Sequence, residues 1–146
     1  LTTQSVYNSF LAAPEAYKQF FHGHTFTGNP LACAAALASL KLFDEENVLD
    51  RTADLETAHR TRMAEFMAHP RVSRVRVMGT ILAFDVTSDD SGYTSAVGPA
   101  LKSWFSEHGL LIRPLGNVVY LLPPYCVSKS QLERAYSGML SALDSL

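Results

Sequence analysis

Two short stretches carry the residue types and spacings that could do chemistry. The first, Gly23-His24-Thr25-Phe26-Thr27-Gly28-Asn29, sets two glycines and two threonine hydroxyls directly before a helix start at Pro30. Glycines let a backbone approach a ligand closely, hydroxyls donate to phosphate oxygens, and the free N–H groups of a helix N-terminus favour an anion. The plainer alternative is a capped loop leading into a buried helix, and spacing alone favours it. The second stretch, Gly109 to Tyr125, places one arginine, Arg113, at the end of an apolar strand and holds it with Pro114 and a Gly-containing turn. A guanidinium fixed in that way suits bidentate capture of a carboxylate. Its alternative is a surface arginine paired with a nearby acid.

Other candidates carry less. His22-x-His24 is a weak metal motif without a further Cys, His or carboxylate near it, so no metal site is expected. His59, His69 and His108 are isolated on helices or at their ends and are expected to be solvated. No G-x-S-x-G elbow is present. Asp89-Asp90-Ser91-Gly92 lacks the glutamate and oxygen spacing of a calcium loop. Met63, Phe66 and Met67 read as core. Lys18, Lys41, Lys102 and Lys129 all fall in polar, amphipathic contexts that read as surface.

The elements that must position the two stretches follow from pattern. After an irregular lead-in with a short helix at Thr3 to Leu11, Asn29 is a good N-cap and Pro30 suits the first helical turn. From Pro30 to about Asn47 the chain is so rich in Ala and Leu that this helix is expected to be buried on most faces. A second helix runs from Leu49 or Asp50 to Met67, with Leu55, Ala58, Arg62, Met63 and Phe66 near a 3.6 period, and Pro70 ends it. Val75 and Val77 alternate with Arg74 and Arg76, which reads as a strand with a solvated arginine face that also takes in Arg71. Met78-Gly79 then leads, as a hairpin or a bulged connection, into the apolar strand Thr80–Val86. A third helix from about Tyr93 to His108 ends at Gly109 in an αL cap. Leu110–Arg113 and Val118–Leu122 read as strands joined by a reversal at Gly116-Asn117, and Ser128 with Gln131 forms the capping box of a last helix to Leu143. The order α, α, β, β, α, β, β, α describes an α+β domain with helices on one face of a small, mainly antiparallel sheet.

At 146 residues, 47% hydrophobic and 18% charged, the composition is that of one globular domain. A net charge of −2 leaves no basic footprint for nucleic acid or an anionic membrane. No apolar run reaches the roughly 20 residues that span a bilayer, and no charged segment followed by an apolar one marks a secretory signal. Cys33 and Cys126 sit in apolar segments and are expected to be buried free thiols in a reducing cytoplasm.

HGHTFTGNPLACAAALASL, from His22 to Leu40, and GLLIRPLGNVVYLLPPY, from Gly109 to Tyr125, together resemble the C-terminal part of a class III, fold-type I, pyridoxal-phosphate aminotransferase. The resemblance implies the C-terminal domain of a fold-type I PLP-dependent transferase. Residues 1–29 would be the lead-in from the end of the large cofactor domain, and 30–146 the small domain beginning with the connecting helix. It implies that Thr25 donates to the cofactor phosphate, typically across the interface of a homodimer. His24 would lie beside it through its backbone, in a place where the family often carries proline. Gly23 would line the substrate cavity and Arg113 would bind the substrate carboxylate.

Within the family, RPLGNVVYLLPPY with Tyr120 in the strand is similar to the branch of biotin biosynthesis, whose substrates are S-adenosylmethionine and 8-amino-7-oxononanoate. None of the four lysines resembles the cofactor-bearing lysine, which in the family lies upstream. Leu1-Thr2-Thr3 resembles the stretch a little beyond it, so the expectation is roughly the last third of a longer enzyme, inactive alone and with no catalytic residue of its own. Two alternatives stay open: a class III aminotransferase acting on an ω-amino acid or diamine, and a non-catalytic α+β module that binds a small ligand or mediates assembly.

Overall fold

β2 (Ile81–Val86) is the strand around which the larger part of the chain is built. It lies between β1 (Val72–Met78) and β3 (Val118–Leu121), antiparallel to both, in a three-stranded sheet of order β1-β2-β3. The computed structural model describes residues 2–90 and 92–146, so Leu1 of the opening segment and Ser91 of the acidic loop lie outside the described residues. The chain divides into two compact units, Leu1–Lys41 and Leu42–Leu146.

In the second unit, alternation sends Leu82, Phe84 and Val86 of β2 and Val119 and Leu121 of β3 to one face, where Leu82 pairs with Leu121 and Phe84 with Val119. Three helices close over that face: α3 (Val48–Ala68), α4 (Val97–Glu107) and α5 (Lys129–Asp144). Their contributions include Leu55, Phe66, Leu101, Phe105, Leu132, Tyr136 and Met139, all buried. Phe66 stacks on Phe84 with ring centroids 5.2 Å apart. β1 and β2 form a tight hairpin in which Met78 pairs with Ile81 and Gly79 takes φ +55°. Ser128 and Gln131 form the expected capping box at the start of α5, and Gly109 ends the α4 segment at φ +69°.

Leu110–Arg113 is not a strand. Its residues pair with no other strand, and the isolated bridge Leu115–Val118 is all the extended pairing that precedes β3. Pro114 removes a backbone donor just where a fourth ladder would have to form. α4 also begins later than Tyr93, because the Asp90 carboxylate accepts from the Ala96 N–H (2.9 Å) and the Ser95 hydroxyl (3.2 Å) and so sets the helix start there. Met67 is 65% exposed rather than core, while Met63 is partly buried against the core.

The first unit holds α1 (Gln4–Asn8), capped by Thr3, a 3₁₀ turn at Pro14–Ala16, and the start of α2 (Pro30–Glu45). Asn29 caps α2 as expected, its side-chain oxygen accepting from the N–H groups of Leu31 (3.0 Å) and Ala32 (3.1 Å). The helix is nonetheless exposed along its whole length, against the expectation of burial. Small side chains permit close packing but bury nothing unless another element supplies the opposite surface. Cys33 rides on this helix and Cys126 lies in the loop before α5, so both thiols are exposed rather than buried.

Candidate functional site

The loop Gly23–Asn29 is closed by its own polar groups. The His24 N–H donates to the Thr27 hydroxyl (3.0 Å), the Thr27 N–H returns to the His24 carbonyl (3.0 Å), and the Phe26 N–H donates to His24 Nδ1 (3.1 Å). The Asn29 N–H closes on the Phe26 carbonyl (3.1 Å), helped by Gly28 at φ +72°. The Thr25 hydroxyl remains: it is exposed and hydrogen-bonds to none of the described residues. A Cβ built on Gly23 would meet nothing within 4 Å, so the backbone there is open to a ligand. His24, by contrast, has both its amide and Nδ1 committed inside the loop. These residues fit one edge of a phosphate group; the four lysines are all exposed.

Arg113 belongs to the second unit. It is flanked by Ile112, which is buried in the core, and by the Pro114–Asn117 turn. The guanidinium is exposed and forms no ion pair or hydrogen bond with any described residue. It sits at a cleft of about 500 Å³ walled by Leu110, Leu122, Pro123 and Tyr120, with Gln131 on the α5 side. An unpaired cation beside an apolar wall can take a carboxylate borne on an apolar chain, because the charge finds its partner while the chain leaves water.

Three buried polar groups shape the second unit. His59 is fully buried rather than solvated: Nδ1 lies 2.7 Å from the Tyr136 hydroxyl and Nε2 lies 3.1 Å from the Thr80 carbonyl. Asp85 is 3% exposed and accepts from Arg74 Nε (2.8 Å) and Arg76 Nη1 (2.7 Å), so the arginine face is a clasp over a carboxylate rather than a merely solvated face. Burial pushes Asp85 up, but the hydrogen bonds and charges of Arg76 and Arg74 outweigh it and hold the carboxyl below its ordinary value. Asn117 is the third, buried at the start of β3 and bonded to two other segments. Among the described residues no group of three or more His, Cys, Asp or Glu is placed to hold a metal ion. No helix is long and apolar enough to cross a membrane.

The class-III aminotransferase family model matches residues 1–143, and the chain belongs to that family. The three-stranded antiparallel sheet with helices on one face is the C-terminal domain of a fold-type I aminotransferase. Among individual relatives, the chain is 40% identical over its full length to the adenosylmethionine-8-amino-7-oxononanoate aminotransferase of Synechococcus elongatus, covering 34% of that protein. It is 35% identical to the enzyme of the same name from Helicobacter pylori, again covering 34%. The crystal structure of the Methanocaldococcus jannaschii adenosylmethionine-8-amino-7-oxononanoate aminotransferase superposes with a TM-score of 0.85 at 30% identity, over 99% of this chain and 34% of that one. An omega transaminase from Pseudomonas jessenii in complex with PMP gives a TM-score of 0.77 at 29% identity, over 90% and 30%. The chain spans about one third of the length of the curated relatives it matches.

Proposed function

We propose that this chain is the C-terminal third of a pyridoxal-phosphate aminotransferase that moves the amino group of S-adenosylmethionine onto 8-amino-7-oxononanoate in biotin biosynthesis. The observation that carries this reading is the unpaired Arg113 guanidinium beside an apolar cleft. The keto substrate is an aliphatic chain ending in a carboxylate, and that cleft offers a wall for the chain and a cation for its end. The names and full-chain similarity of the relatives support the same substrate pair.

In this scheme residues 1–29 end the large cofactor domain and 30–146 form the small domain. Thr25 donates to the cofactor phosphate of the partner subunit in a cytoplasmic homodimer, His24 frames that contact, and Gly23 lines the substrate cavity. Pyridoxal phosphate, when bound, supplies the electron sink that lets an amino group leave one carbon and join another. This chain contributes binding and orientation: Arg113 fixes the carboxylate, and the apolar wall excludes water from the chain. It is expected to have no transaminase activity alone, because none of its four lysines resembles the family's cofactor-bearing lysine.

The test adds S-adenosylmethionine, then ornithine, to the full-length protein while following the visible absorption of its bound cofactor, with the 146-residue chain as control. Loss of the band with S-adenosylmethionine, in the full-length protein alone, is the expected result. A response to ornithine only moves the assignment to a sister aminotransferase. A full-length protein that binds no cofactor returns the non-catalytic reading.

A further inference from the structure

We propose that Asn117 is a positioning residue for Arg113, acting through a turn that Gly98 and Gly116 allow to nest against a neighbouring loop. The inference rests on the reading of Arg113 as the carboxylate ligand. Arg113 hangs between two fixed points. On its N-terminal side Ile112 is 8% exposed and packed in the core. On its C-terminal side Pro114 has a fixed φ, and the next four residues form a closed reversal in which the Leu115 N–H donates to the Val118 carbonyl (2.8 Å) and the Val118 N–H to the Leu115 carbonyl (3.1 Å).

Asn117 ties that reversal to two other segments. Its side-chain oxygen accepts from the Gly92 N–H (2.9 Å) and its side-chain nitrogen donates to the Val86 carbonyl (3.0 Å) at the end of β2. Its backbone repeats both links: Asn117 N–H to the Gly92 carbonyl at 3.3 Å, and Val86 N–H to the Asn117 carbonyl at 2.8 Å. One buried asparagine therefore uses backbone and side chain together to join β2, β3 and the loop before α4. Hydrogen bonds made in a protected site hold their geometry far better than exposed ones.

The glycines explain why nothing larger stands at these positions. Gly116 has φ +60°, and a Cβ there would collide with the Gly92 carbonyl. Gly98, inside α4, faces the same turn from below, and a Cβ on it would come to 2.6 Å from the Gly116 carbonyl oxygen. The turn is thus held from the loop, from β2 and from α4, and Arg113 projects from its edge with no side-chain partner of its own. A guanidinium without a protein partner needs its backbone fixed if it is to meet a carboxylate in one geometry.

The experiment compares full-length Asn117→Ala, Gly98→Ala, Arg113→Ala and a core control, Met139→Ala, whose side chain is fully buried on α5. Steady-state constants are measured with 8-amino-7-oxononanoate and with its methyl ester, which lacks the charge, and the donor half-reaction is followed separately. Asn117→Ala and Gly98→Ala are expected to raise KM for the acid about ten-fold. The ester's KM and the donor half-reaction should stay near wild type, and Met139→Ala should lower thermal stability without separating acid from ester. Should Asn117→Ala not fold, Gly98→Ala decides on the same criterion. Equal effects on acid and ester, or the same split produced by Met139→Ala, would overturn the positioning role. If Arg113→Ala itself fails to separate acid from ester, the carboxylate assignment falls instead.

Discussion

His59 and Arg113 are both cationic by type, and their surroundings give them opposite tasks. His59 donates from Nε2 to the Thr80 carbonyl, which leaves Nδ1 to accept the Tyr136 hydroxyl, so the ring is held as one neutral tautomer. Burial lowers its pKa, only partly offset by the Thr80 carbonyl and by Glu56, and burial likewise pushes the Tyr136 phenol up to about 12. Because the folded pKa lies below the unfolded value of about 6.5, the unfolded chain takes up the proton first. The contribution to stability is complete above that value and fades as pH falls through the folded one. The urea midpoint of the chain should drop from pH 7 to pH 5, and His59→Gln should flatten that slope; a wild-type midpoint unmoved across the window contradicts the assignment. Asp85 acts lower on the scale: its pKa is depressed, so its contribution is lost only as pH falls below about 3.8 and through its folded value. Arg113 is unpaired among the described residues. Replacing it with lysine removes the planar fork, and the keto-substrate KM should rise about ten-fold or more while the donor half-reaction is nearly intact. Thr25→Val should weaken cofactor retention in the full-length protein, and an unchanged affinity would reduce the loop to a structural one.

At the scale of elements, local chemistry was legible and long-range pairing was not. The Asn29 cap, the Ser128–Gln131 box and the Gly109 stop are written within three or four residues of the helix ends they set, and each appears where it was expected. The fourth strand failed because apolar composition at Leu110–Ile112 does not say whether a neighbour offers a ladder, and none does. The burial of His59 is not legible locally, because its partner Tyr136 lies 77 residues away in the chain. The clasp of Arg74 and Arg76 is hidden from the sequence for the same reason, because the carboxylate it covers, Asp85, lies on the next strand. Arg113 and Thr25 are named as site candidates by the motif resemblance alone, whereas the cross-links of Asn117, a member of the same motif, go to Val86 and Gly92 and show only in the fold. Two substitutions check this level. Ser128→Ala should cost about 1 kcal/mol by removing the cap of α5. Gly116→Ala should cost more than about 1 kcal/mol, because a side chain is both strained at φ +60° and obstructed by the Gly92 loop. Chemical denaturation measures both, and a neutral Gly116→Ala would show that the turn is not held as described.

At the scale of the whole molecule, the two units differ in what they bury. Leu42–Leu146 has a continuous core, while none of the described residues of Leu1–Lys41 is buried, with Tyr17, Phe20, Phe21, Phe26 and Leu31 all more than two-thirds exposed. Limited proteolysis of the 146-residue chain should therefore cut first within residues 2–41 and leave a resistant product covering the second unit; equal protection of both would contradict that division. The chain spans about one third of the length of the curated relatives it matches, and the described residues of its first unit are not buried within it. Amino transfer itself is the step on which the proposed function stands. The full-length protein is given S-adenosylmethionine carrying nitrogen-15 in its amino group together with 8-amino-7-oxononanoate, and the product is weighed by mass spectrometry. The expected product is 7,8-diaminononanoate that carries the label, with none formed by the 146-residue chain. Diamine without the label, or no diamine from the full-length protein, would contradict it.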